Sequence, residues 1–185
     1  SERHAFLQDR YGTAWQLIKG KYSDVNQKLT PCLLFVNKSY GRAEAAMNFY
    51  TQLFPGSSVE AILLYSPEEQ PMTGAVKHAQ FCLDGKVLMV MDGYGEHTFT
   101  FNEAFSFVVE CETQDEIDFY WNRLTADGGA ESMCGWLKDK FGVSWQIIPK
   151  VLGDLMSNKE NGSKVMTALM QMKKLDIAQL QKAAQ

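Results

Sequence analysis

The chain has 185 residues, which is long enough for one domain with a full hydrophobic core and part of another. Hydrophobic residues make up 45% and charged residues 22%, ordinary values for a globular protein, and the net charge is −4. No apolar run approaches the roughly 20 residues of a membrane helix, and no apolar signal segment follows the first residues. No basic stripe is present, so the sequence predicts neither a membrane nor a nucleic acid as partner.

The 4 cysteines lie far apart and form no CxxC pair, which argues against a zinc ribbon and a thioredoxin-like dithiol. Three of them lie in apolar, strand-like runs, where reduced cysteines act as small hydrophobic residues. Because such thiols persist in a reducing compartment, the sequence predicts a cytoplasmic protein. The cysteines are Cys32, Cys82, Cys111 and Cys134.

Residues 6–18 recur as residues 136–148, and both copies read Asp, a basic residue, an aromatic residue, Gly, two variable residues, Trp and Gln. The offset of 130 residues is about one small-domain length. We therefore interpret residues 1–20 as the last hairpin of a related upstream domain, followed by a polar linker at 21–29. The alternative is an extra arm that completes a neighbouring sheet. The identical pairs are Leu7/Leu137, Asp9/Asp139, Gly12/Gly142, Trp15/Trp145, Gln16/Gln146 and Ile18/Ile148.

The next segment predicts a strand, an amphipathic helix and three further strands. The helix has one apolar stripe with period 3.6, and Pro55-Gly56 ends it. Asp84-Gly85 is the two-residue signal of a hairpin between two strands. The stripe consists of Ala43, Ala46, Met47, Tyr50, Leu53 and Phe54, and the predicted strands are residues 33–36, 59–65, 75–83 and 86–91.

A second, similar half follows. Residues 48–50 (NFY) recur as residues 118–120 (DFY) about 70 positions later, each time on a helical pattern behind an apolar strand. The order is again strand, helix and short strands, so residues 30–160 predict an α+β domain of two βαβββ halves. The second helical stripe is Ile117, Tyr120, Trp121 and Leu124, and the predicted strands are residues 105–108, 134–138 and 143–148.

Residues 161–185 predict a helical extension. We expect Ser163 to cap the first helix and Asp176 to cap a second one that runs to the end. The apolar face of the first helix is Val165, Ala168, Leu169, Met172 and Leu175.

The order of these motifs resembles the vicinal-oxygen-chelate superfamily of glyoxalases and bleomycin-resistance proteins. Within it, the chain is similar to the PhnB-like branch, which carries the label 3-demethylubiquinone-9 3-methyltransferase domain. The resemblance implies two halves whose curved sheets enclose a cleft, and it implies a homodimer. The matching segments are TPCLLF at 30–35, AEAAMNFYTQLFP at 43–55, KHAQFCLDGKVLMVMDG at 77–93, WLKDKFGVSWQIIP at 136–149 and VMTALMQMKKLDIAQLQKA at 165–183.

Metal-dependent members of this superfamily place His or Glu ligands on the cleft-facing strands. The resemblance carries these ligand positions onto Pro31, Ala104 and Gln146. Pro and Ala offer no donor atom, and a neutral Gln carbonyl is a weak substitute for a carboxylate at a transition metal. We therefore expect no metal and no cofactor.

Three residues are candidates for contact with a ligand. His78 lies in a predicted strand, either as a general base or hydrogen-bond donor of the cleft or as a structural residue bonded to a carbonyl. Gln146 and Trp145 are strand neighbours that point to opposite faces, and the resemblance assigns Gln146 to the cleft. Ser106 is the third candidate. The carboxylates Glu60, Glu110 and Glu131 are either cleft groups or exposed strand ends.

The sequence leaves three functions open. The first is a metal-free protein that binds a partly apolar small molecule, and this is the function we predict. The second is an enzyme of the superfamily (lyase, isomerase or methyltransferase) in which His78 or a cleft carboxylate acts as acid or base. The third is a structural partner whose cleft is filled. Methyl transfer is disfavoured because the glycine-rich residues 91–95 are not followed by a helical pattern.

Overall fold

The computed structural model describes residues 4–19, 27–157 and 160–185, so most of the predicted linker lies outside the described residues. The strands are β1 (His4–Gln8), β2 (Ala14–Ile18), β3 (Cys32–Val36), β4 (Ser58–Leu64), β5 (Val76–Leu83), β6 (Lys86–Gly93), β7 (Ser106–Cys111), β8 (Ala130–Glu131), β9 (Trp136–Lys138) and β10 (Ser144–Pro149). The helices are α1 (Ala43–Leu53), α2 (Gln114–Thr125), α3 (Leu152–Ser157), α4 (Gly162–Leu169) and α5 (Ile177–Ala183). Within these ranges no helix has the length and apolar character that a membrane span requires.

The two halves form two mixed, four-stranded sheets with the same topology. The first sheet has the order β3-β6-β5-β4 and the second has the order β7-β10-β9-β8. In each sheet the first strand of the half pairs in parallel with the last one, and the other neighbours are antiparallel. This arrangement confirms the predicted α+β fold of two βαβββ halves.

Local sequence signals explain the first half. The α1 helix packs on the first sheet, its predicted stripe is buried, and Phe54 follows the helix in extended conformation. Between β5 and β6, Asp84 and Gly85 have φ angles of 48° and 73°. Positive φ at both positions matches a tight hairpin turn of the predicted type.

In the second half, a capping box starts α2: the Thr113 side chain accepts from the Glu116 amide and the Glu116 carboxylate accepts from the Thr113 amide. The strand β9 begins at Trp136, later than the predicted residue 134. Cys134 and Gly135 have φ angles of 60° and 81°, and their amides donate to carbonyl groups of the C-terminal segment instead of a strand. The short strand β8 was not predicted.

The C-terminal helices enclose a small core of their own. Val165, Leu169, Leu175 and Leu180 are its buried members. The prediction that Ser163 caps a helix is wrong, because α4 begins at Gly162 and the cap position belongs to Asn161. The predicted cap at Asp176 is confirmed, since its side chain accepts from the amide of Gln179. The helix α3 was not predicted.

One aromatic cluster joins the two halves. The ring of Trp145 lies 5.3 Å from Tyr50 and 5.5 Å from Phe54, both at the end of α1. The Tyr50 hydroxyl donates to Asp139 Oδ2 over 2.6 Å in the turn between β9 and β10. All four residues are buried, so packing and a hydrogen bond both fix the first half on the second.

The sequence repeat is also a structural repeat. The strands β1 and β2 form a separate antiparallel sheet, here called the N-terminal hairpin, and β9 and β10 form the C-terminal hairpin. In the first, Asp9 Oδ1 accepts from the amides of Tyr11 and Thr13, and Oδ2 accepts from Trp15 Nε1. In the C-terminal hairpin, Asp139 makes the same three bonds to the matching positions.

Candidate functional site

Each sheet packs one face against helices and leaves the other face open. Because side chains alternate along a strand, buried and half-buried positions alternate in β5 and β6. The first open face is defined here by seven half-buried residues of the first sheet, Cys32, Leu34, His78, Gln80, Cys82, Met89 and Met91. The corresponding second open face consists of Ser106, Val108, Glu110, Trp136, Lys138 and Gln146.

His78 lies on the first open face, opposite Leu63 of β4. Its Nε2 atom is buried and has no hydrogen-bond partner among the described residues. Burial lowers the pKa of His78, because desolvation disfavours the imidazolium. A neutral ring at neutral pH can either accept or donate one hydrogen bond through Nε2.

Gln16 of the N-terminal hairpin reaches the same face. Its side-chain Nε2 donates to Met91 Sδ over 3.5 Å and to Cys32 Sγ over 3.8 Å. Sulfur is a weak acceptor, so an incoming oxygen atom competes well for this amide. Burial raises the pKa of Cys32 to about 11, which leaves the thiol neutral.

His97 also lies beside the first open face, at the end of β6. A Cβ atom built on Gly93 would lie 3.2 Å from both His97 Nε2 and Leu34 Cδ1. The His97 Nε2 atom is buried and, within the described part of the chain, unpaired. Asn37 holds the loop in place, since its side chain bonds the His97 amide and carbonyl and the carbonyl of Phe99. From its polar loop the sequence predicts a solvated His97, and this is wrong for Nε2 because nothing local shows that the loop folds back.

The other two predicted site residues meet on the second open face. Gln146 Nε2 donates to Ser106 Oγ over 2.9 Å, across the parallel pair β7 and β10. Trp145 points to the opposite side and is buried, as the strand alternation predicts. His78 lies on the other sheet, so the structure brings together two of the three predicted residues.

The candidate carboxylates have different surroundings. Glu60 accepts from the Gln80 amide at 2.5 Å beside the first open face. Glu131 accepts from Trp121 Nε1 and pairs with Lys173, and the tryptophan bond lowers the pKa of its carboxyl group. Glu131 therefore has a structural role, and Glu110 is exposed on the second open face.

A groove of about 440 Å³ lies elsewhere, between the start of α2 and α5. Gln114 crosses it, donating to the carbonyl of Leu175 and accepting from the amide of Ile177. The helix cap at Thr113 uses the neighbouring amide of Glu116. These bonds hold the start of α5 against the start of α2, so the residues of the groove have a structural role.

The residues at the expected metal positions do not fit a metal. Pro31 and Ala104 precede β3 and β7, and the Gln146 amide is bonded to Ser106. Across residues 4–19, 27–157 and 160–185, no three His, Cys, Asp or Glu side chains converge in a way that could hold a metal ion. Divalent transition metals bind through His, Cys and carboxylate side chains, which the three expected positions do not offer.

Two βαβββ halves with mixed four-stranded sheets define a protein of the glyoxalase/bleomycin-resistance type. A family model described as 3-demethylubiquinone-9 3-methyltransferase matches residues 27–148. The chain belongs to this family of PhnB-like proteins. A search of curated protein sequences gave no match.

Two solved structures show the relationship. A putative 3-demethylubiquinone-9 3-methyltransferase, PhnB protein, from Bacillus cereus is 43% identical, with a TM-score of 0.61 over 66% of this chain and 99% of that one. A protein from Pseudomonas aeruginosa is 24% identical, with a TM-score of 0.55 over 66% of this chain and 97% of that one. The first supports the family and the second supports the fold.

Proposed function

We propose that the protein binds a small, partly apolar molecule on the first open face without a metal. The observation that carries this proposal is the pair of buried imidazole nitrogens of His78 and His97, which have no partner in the described ranges. A buried polar atom without a hydrogen bond costs about 1–3 kcal/mol. A ligand that forms a hydrogen bond with either ring recovers this free energy, and the recovered free energy favours binding at this face.

The residues of the face define the chemistry of the ligand. Met89, Met91 and Leu34 offer an adaptable apolar surface for its body. The Gln16 amide, which faces only sulfur atoms, offers a donor for a carbonyl or hydroxyl oxygen. His78 offers a second polar contact. Ser106 and Gln146 stay predicted ligand contacts, on the second open face.

Thermal unfolding with a panel of small phenols and aromatic ketones, 1-naphthol among them, tests the proposal. Bound ligand stabilises the native state, and at concentrations well above Kd we expect Tm to rise by about 2–5 °C. We expect Met91→Lys to abolish this rise, whereas Val108→Lys, which adds the same charge on the second open face, keeps it. Equal responses of the two variants would refute the location.

The alternative is an enzyme in which His78 is the acid–base group. The lowered pKa of His78 favours a neutral ring, which a general base requires. Against this, no carboxylate among the described residues bonds to His78 Nε2. The glycine-rich end of β6 leads into a loop and then β7, a path that does not support a nucleotide-binding turn. If His78→Ala abolishes turnover of a bound compound while binding persists, the enzyme function is the correct one.

We also propose that two copies form a homodimer. The edge strand β4 exposes Val59, Ile62, Leu63 and Leu64, each by 41% to 57%. An apolar edge with free backbone groups is a site for pairing with another strand. Sedimentation of the wild type and of Leu63→Lys tests this: we expect a dimer that the substitution dissociates, and a monomeric wild type would refute it.

A further inference from the structure

The outer face of each hairpin is the face that carries its tryptophan, and the two copies have matching apolar residues there but opposite environments. In the C-terminal hairpin, α1 and α2 cover this face. In the N-terminal hairpin no described helix lies over it. The exposed fractions are 44% for Leu7, 37% for Trp15 and 54% for Leu17, against 1% for Leu137, 1% for Trp145 and 0% for Ile147.

The two aspartates differ in one hydrogen bond. Asp139 accepts from two backbone amides, from Trp145 Nε1 and from the Tyr50 hydroxyl. Asp9 makes the first three of these bonds, and within the described part of the chain its Oδ2 accepts only from Trp15 Nε1. No described residue therefore donates to Asp9 from the position that the Tyr50 hydroxyl occupies beside Asp139.

The two tryptophans differ in their ring contacts. Phe54 stacks on Trp145 with an interplanar angle of 18°, and Tyr50 lies against the same ring. Trp15 has no ring contact among the described residues. In this chain Tyr50 and Phe54 are already buried against the C-terminal hairpin, so they are not available to the N-terminal one.

We propose that the outer face of the N-terminal hairpin is a docking surface for the first βαβββ half of a second, related domain that precedes it in the polypeptide. An α1-type helix of that domain supplies a tyrosine hydroxyl to Asp9 and a phenylalanine ring to Trp15. The 130-residue offset between the hairpins supports this occupant, because one domain of this family spans about that length. The inference does not depend on the proposed ligand.

A chimera built from this chain tests the proposal. Residues 30–135 are fused ahead of residue 6, so that the N-terminal hairpin follows a complete copy of the segment that precedes the C-terminal hairpin. The readout is hydrogen exchange of the Trp15 indole N–H by NMR, assigned with Trp15→Phe. Because docking buries the indole, we expect exchange to slow by at least about tenfold relative to the unmodified chain.

Two further variants keep the test specific. Tyr50→Phe in the added copy alone removes the hydroxyl that reaches Asp9, and we expect it to return part of the exchange rate. Phe54→Ala in the same copy removes the stacked ring, with a larger effect. An unchanged rate for Trp15 in the chimera overturns the proposal. A dimer of the unmodified chain that Trp15→Arg dissociates assigns the surface to a second copy and also overturns it.

Discussion

Removing the Tyr50 hydroxyl should measure how much its hydrogen bond to Asp139 stabilises the contact between the two halves. Tyr50 and Asp139 are 1% and 3% exposed, and the hydroxyl donates to Oδ2 over 2.6 Å. In Tyr50→Phe the ring keeps its contacts with Trp145 and Phe141, so the change isolates the hydrogen bond. Burial is the main cause that raises the pKa of Asp139, and the Tyr50 bond opposes it.

The magnitude follows from the charge of the acceptor. A hydrogen bond to a charged group contributes about 1.5–3 kcal/mol net. Asp139 retains three other donors in the variant, so the carboxylate is not left bare. We therefore expect the free energy of unfolding to fall by about 2 kcal/mol at pH 7.

The dependence on pH has a definite sign. The pKa of Asp139 is higher in the folded than in the unfolded chain, so the folded state favours the protonated carboxyl group. The stability that this preference contributes is fully present below the unfolded pKa of 3.8, and it is lost as the pH rises through the folded pKa. The Tyr50 bond favours the ionised form and reduces this loss. The difference between Tyr50→Phe and the wild type should therefore be larger at pH 7 than at pH 4.

Urea unfolding followed by circular dichroism measures the change, with equal m values as the sign that the fold is retained. Tyr120→Phe is the matched control. The Tyr120 ring stacks on Phe54 at 5.0 Å in the same cluster, and its hydroxyl has no hydrogen bond to any described residue. We expect the control to lie within about 0.5 kcal/mol of the wild type. An equally small loss in Tyr50→Phe would refute the reasoning.

Three further outcomes follow from the structure. Thr113→Ala removes the cap of α2 and should lower the free energy of unfolding by about 1 kcal/mol in urea titrations. Burial raises the pKa of Cys111 to about 12 from 9.0, so its alkylation by iodoacetamide at pH 8 should be about a thousandfold slower in the native than in the unfolded chain. Gly135→Ala would place a Cβ atom 2.7 Å from the Ile147 carbonyl oxygen, at a position with positive φ. Gly142 also has positive φ, but no atom lies within 4 Å of the Cβ that Gly142→Ala would add. Thermal unfolding should therefore show the larger loss for Gly135→Ala, by about 1–3 kcal/mol, and equal losses would contradict the steric account.

The elements that the sequence predicts are those with a local cause. The stripe of α1, the Asp84-Gly85 turn and the Asp176 cap depend on residues a few positions apart, and all three are present. The failures have causes that lie far along the chain. Strand β9 starts late because the amides of Cys134 and Gly135 bond to the C-terminal segment, and no local pattern encodes that contact.

In the candidate site, too, the sequence predicts local features but not distant contacts, and Gln16 and Gln146 show why. Gln16 and Gln146 occupy the same position of the same hairpin, and the alternation of a strand places each on the face opposite its tryptophan. Their partners nevertheless differ: Gln146 bonds Ser106 of its own sheet, whereas Gln16 lies against Met91 and Cys32 of the first sheet. A sequence can predict which way such a side chain points, because that depends on its neighbours. What it meets there depends on which sheet lies opposite, and this is a property of the assembled domains.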